Sequence, residues 1–81
     1  MAKSYNNIGL VYHSQGKYDD ALDYHQKSLK IKIAAVGSDH LDVAGSYNNI
    51  GEVYRKKGQY ELAMEQYQKS LDIKILSLIH I

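Results

Sequence analysis

Four histidines, a group of aspartates and two recurring serines are the residues whose types suit chemistry: holding a metal, holding calcium, or attacking a substrate. His13, His25, His40 and His80 would bind a metal only if spacing brought two together, as in a His-Glu-x-x-His helix, and no pair stands so. Asp19, Asp20 and Asp23 lack the alternating oxygen ligands and central glycine of a calcium loop. They fall where a helix is expected to begin, and carboxylates stabilise the positive end of a helix dipole. Ser28 and Ser70 would need an oriented base to act as nucleophiles, and as small residues at one recurring place they read as packing. His25 reads as a partly buried packing residue. No catalytic set, metal site or cofactor site emerges, so the chain is expected not to be an enzyme.

The remaining classes are narrowed by composition. Eighty-one residues suffice for one small domain, which buries a modest fraction of its surface. The formal net charge is +1, with both signs interleaved. Base stacking by the eight tyrosines without a basic track would bind nucleic acid weakly, and all of them except Tyr24 fall at positions expected in a hairpin core. The N-terminus carries no signal-peptide pattern, and the apolar stretch from Ile75 to Ile81 is far shorter than the roughly 20 residues of a membrane span. With no cysteine, no disulfide framework exists, and a soluble, cytoplasmic protein is expected, with neither nucleic acid nor membrane as partner.

Positioning falls to an internal repeat. Ser4-Tyr-Asn-Asn-Ile-Gly9 returns as Ser46-Tyr-Asn-Asn-Ile-Gly51, an offset of 42. Val11-Tyr12, Gly16, Tyr18, Ala21, Gln26-Lys-Ser-Leu29 and Ile31-Lys-Ile33 return at the same offset. Tyr5, Ile8, Gly9 and Tyr12 follow helical spacing, and a second stripe runs through Tyr18, Ala21, Leu22, His25, Leu29 and Ile33. Its counterpart is Tyr60, Ala63, Met64, Tyr67, Leu71 and Ile75. The pattern predicts an all-α chain of two tandem helical hairpins, with helices near 2–15, 18–35, 39–57 and 60–78. Repeat 1 covers 1–42, repeat 2 covers 43–75, and 76–81 is a hydrophobic tail outside the repeat.

Glycines punctuate the pattern. Gly16 and Gly58 suit the left-handed turn at a helix end. Gly9 and Gly51 fall inside a helix, where glycine costs about 1 kcal/mol against alanine, so close approach of the partner helix is the expected reason and leucine there should be damaging. Between repeats, Ser38 or Asp39 is expected to cap the third helix, and Asp42 to complement its positive end.

These residues resemble the tetratricopeptide repeat: Tyr5/Tyr47, Ile8/Ile50, Gly9/Gly51 and Tyr12/Tyr54, followed by Gly16/Gly58, Tyr18/Tyr60 and Ala21/Ala63. Tyr67 completes the pattern in the second copy, and His25 departs from it in the first. The usual period is about 34 residues. The longer one here, with Leu41 where proline is common, looks like the long repeats of kinesin light chains and related arrays. The resemblance implies a solenoid scaffold whose concave groove, lined by the first helix of each hairpin, holds a peptide of a protein partner. It points to Asn6 and Asn48 as binders of peptide main chain. The second asparagines, Asn7 and Asn49, could equally link adjacent helices or face water.

Other groove positions differ between copies and so permit selectivity: Leu10 against Glu52, His13 against Arg55, Ser14 against Lys56. Arg55, Lys56 and Lys57 would suit an acidic side chain or carboxylate, or simply form a solvated helix end. Two repeats fall short of the three or more that such arrays usually need. Hence the alternative function is self-assembly into a homo-oligomer by end-to-end stacking or hairpin exchange. The tail from Leu76 to Ile81 fits a self-association surface, a leftover of truncation, or a docking strip for a partner.

Overall fold

The computed structural model describes residues 2–79. Four helices follow one another: α1 Ala2–Ser14, α2 Tyr18–Val36, α3 Leu41–Lys56 and α4 Tyr60–Ile79. Each end lies within two residues of the boundary expected from periodicity. The glycines account for much of that agreement. Gly16, Gly37 and Gly58 all have φ between +76° and +90°, where a Cβ would be strained. The Gly37 amide donates to the Ile33 carbonyl at 2.9 Å, closing α2.

The cap of α3 differs from expectation. His40, not Ser38 or Asp39, occupies the N-cap in an extended conformation, and its Nδ1 accepts the Asp42 amide at 3.1 Å. The imidazole nitrogen accepts the Asp42 amide as a hydroxyl or carboxylate oxygen would, so the choice fell to where the chain turns.

Neighbouring helices pack in sequence: α1 on α2, α2 on α3 and α3 on α4. The backbone extends 39 × 29 × 14 Å along its principal axes. His25, Val43 and Val53 are the bulkiest side chains the fold encloses completely. Ala21, Val43, Ala44, Ile50, Val53, Ala63 and Ile73 are buried, with Leu29, Ile33 and Tyr47 packed against Val43, Ala44 and Ile73.

The glycines inside the helices do what their position suggested. A Cβ on Gly9 would lie 2.9 Å from the His25 ring, and one on Gly51 would lie 2.9 Å from the Tyr67 ring. Each hairpin is thus locked by an aromatic ring of its second helix lying against a bare backbone of its first. His25 is more enclosed than expected, at 1 % exposure. Tyrosines are less so: none of the eight is fully buried, and Tyr60 is 64 % exposed. Tyr24, the one tyrosine assigned no core position, lies 5.5 Å from Tyr12 and 6.0 Å from Tyr5 between ring centroids, with the Lys27 ammonium 4.9 Å above its own ring. Its wide flat face covers the hairpin from the solvent side.

α4 continues through Leu76 to Ile79, so the repeat pattern stops at Ile75 while the helix does not. His80 and Ile81 lie outside the described residues.

Candidate protein-interaction surface

α1 and α3 carry the residues singled out for partner binding. Asn6 is half-buried on α1, and its Oδ1 accepts from Asn49 Nδ2 of α3 at 2.9 Å. Asn49 therefore links α3 to α1, the first helices of the two hairpins, and the bond uses the oxygen of Asn6 while leaving the Asn6 amide nitrogen for another acceptor. Asn48, the repeat counterpart of Asn6, is exposed. The family resemblance pointed to a groove role for the first asparagine of each pair; it did not reveal that the first asparagine of one repeat is held by the second asparagine of the next.

Further along, Arg55 clasps Glu52 one turn earlier, with Nη2 at 2.8 Å and Nε at 3.1 Å from Glu52 Oε2. This charge-assisted pair holds the Glu52 carboxyl below its ordinary range. The Tyr67 hydroxyl adjoins both residues, and its phenol is pushed up by burial and by the Glu52 carboxylate. His13 also helps to lower the Glu52 carboxyl, and its ring lies 5.6 Å from Tyr18. Leu10 stands 41 % exposed on this surface, and Ser14 bonds back to the Leu10 carbonyl at 3.1 Å.

The two repeats handle the ring behind this surface differently. In repeat 2, Tyr67 lies against Gly51 and its hydroxyl reaches the Glu52–Arg55 pair. Repeat 1 has Leu10 and His13 at those places, and both nitrogens of His25 are buried without a partner. Burial, then the charges of His13 and Lys32, lowers the His25 pKa from 6.5 to about 4, so the imidazole is neutral near pH 7.

The basic run at the end of α3 is largely occupied. Arg55 is held by Glu52, and Lys57 donates to Asp19 at the start of α2, leaving Lys56 exposed beyond them. Asp19 and Asp20 occupy the first turn of α2, and Asp23 pairs with Lys27 at 3.3 Å. Ser28 and Ser70 are buried; Ser28 Oγ donates to the Ala2 carbonyl at 2.9 Å, a structural contact. Among the described residues no group of three or more His, Asp or Glu side chains could hold a metal, and no helix is long and apolar enough to cross a membrane.

No curated protein matches the chain significantly. The family model for the tetratricopeptide repeat matches residues 1–75, the span over which helices, turn glycines and ring-on-glycine locks repeat. This chain belongs to the tetratricopeptide repeat family.

Proposed function

We propose that the chain is a peptide-binding scaffold, with the partner lying along α1 and α3. Tetratricopeptide repeats mediate protein–protein interaction; the groove assignment goes further and is our own. The observation that carries it is the contrast between framework and groove. The locks and turns are nearly duplicated, whereas Leu10/Glu52, His13/Arg55 and Ser14/Lys56 change on one exposed or half-exposed surface. Packing demands little of those positions, so their divergence is free to serve recognition.

The chemistry favours an extended peptide. The amide nitrogens of Asn6 and Asn48 suit main-chain carbonyls, Leu10 offers an apolar spot, and Lys56 suits a carboxylate. Arg55, already clasped by Glu52, presents a dipole more than a bare cation.

Selecting peptides from a displayed random library against the immobilised chain, then measuring their affinity by fluorescence polarisation, tests this. Asn6→Ala with Asn48→Ala, or Lys56→Glu, should weaken the selected peptides tenfold or more. Affinities unchanged within about twofold would refute the groove assignment, since a lost hydrogen bond to a partner is worth about 1 kcal/mol.

A further inference from the structure

Residues with the same place in the two hairpins differ sharply in exposure, and the differences fall at opposite ends of the molecule. Val53 is 0 % exposed and Ile50 2 %, where α3 meets α2; their counterparts on α1, Val11 and Ile8, are 56 % and 39 % exposed. At the other end, Leu22, Leu29 and Ile33 of α2 are half-buried, while Met64, Leu71 and Ile75 of α4 stand 70 %, 49 % and 44 % exposed. One end therefore displays the α2 side of the internal seam and the other end the α3 side.

The polar contacts between the hairpins carry over in the same way. Asn49 donates to Asn6, and Lys57 donates to Asp19. Shifted by one repeat, the first pair becomes Asn7 and Asn48, and the second becomes Gln15 and Glu61. Asn7 and Gln15, at one end, are exposed amide donors; Asn48 and Glu61, toward the other, are exposed acceptors. The chemistry of donor and acceptor survives although the residues do not.

We propose that a second copy of this chain docks head to tail, its α1 face seated on the α4 face of the first, reusing the α2–α3 seam between molecules. Leu71 and Ile75 then lie against Tyr5 and Ile8, Asn7 donates to Asn48, and Gln15 donates to Glu61. The two surfaces are different, so the contact is heterologous: each added copy leaves one free face at each end, and the product is an open chain of molecules. The proposal is independent of the peptide groove, because stacking takes the oxygen of Asn48 as Asn49 takes that of Asn6.

Light scattering after size exclusion, over a hundredfold range of concentration, provides the test. The wild-type mean mass should rise steadily with concentration past that of a dimer. Val11→Glu blocks only the α1 face and Leu71→Glu only the α4 face, so each variant alone should stay monomeric, while a mixture should form a 1:1 dimer and stop. A wild-type chain that is monomeric throughout, a Val11→Glu variant that still self-associates, or a mixture that stays monomeric would overturn the proposal. Should circular dichroism show that either charge unfolds the chain, the exposed pair substitutes. Gln15→Glu, facing Glu61, should weaken assembly tenfold or more, and adding Glu61→Lys should restore it; failure of that rescue would equally overturn the proposal.

Discussion

Acidification should destabilise this protein through His25 more than through any surface histidine. The imidazole is buried against Gly9 with neither nitrogen bonded, and its pKa falls from 6.5 to about 4. A depressed histidine favours protonation of the unfolded chain over the folded one. The stability it contributes is therefore complete above pH 6.5, falls as the pH drops toward 4, and levels off below that. Between pH 7 and pH 5 the linkage relation gives a loss of about 2 kcal/mol from this one group. At a urea m-value of about 1–1.5 kcal/mol/M, the unfolding midpoint moves down by about 1–2 M. The assay is urea unfolding followed by helical circular dichroism, at one dilute protein concentration and at both pH values. His25→Tyr supplies the reference, since it installs the ring that repeat 2 already carries at Tyr67, and subtraction cancels the carboxylates and remaining histidines. If the wild type and His25→Tyr lose the same stability within about 0.5 kcal/mol, burial of a neutral His25 is not the source of the acid sensitivity and the reasoning fails.

Two further substitutions test the packing. Gly9→Ala should cost more than Gly51→Ala: both place a Cβ 2.9 Å from a ring, but His25 is enclosed whereas half-buried Tyr67 can swing outward. We expect about 1–2 kcal/mol for Gly9→Ala and near neutrality for Gly51→Ala, overpacking being offset by alanine's helix propensity, as thermal unfolding would register. Leucine at either place should abolish the cooperative transition. Ser46 and Ser70 bury hydroxyls with no partner, so Ser46→Ala and Ser70→Ala should each stabilise by up to about 1 kcal/mol, while Ser28→Ala, which breaks the bond to Ala2, should cost about 1 kcal/mol in denaturant midpoints.

Much of the fold was legible because its signals are local. Apolar spacing near 3.6 residues marks a helix, and a glycine that must adopt positive φ marks its end; Gly16 and Gly58 are read from their neighbours alone. The ring-on-glycine locks were half legible: the glycines announced a close approach, but not that His25 and Tyr67 were what approached. The proposed groove was least so. Asn6 and Asn49 are 43 positions apart, and nothing in either asparagine's surroundings in the chain distinguishes a helix link from a peptide ligand. The run Arg55-Lys56-Lys57 looked like free positive charge until Glu52 and Asp19 were found holding two of its members.

Val11 and Val53 show where the division lies. The amino-acid sequence by itself determined that each stands on the first helix of a hairpin, one repeat apart, in the same register, because backbone periodicity and turn chemistry act over a few residues. Only the tertiary structure decided that Val53 is sealed at 0 % exposure and Val11 left at 56 %. Burial depends on what packs from outside the hairpin, and a repeated sequence presents the same face at every copy whether or not a neighbour is there to cover it.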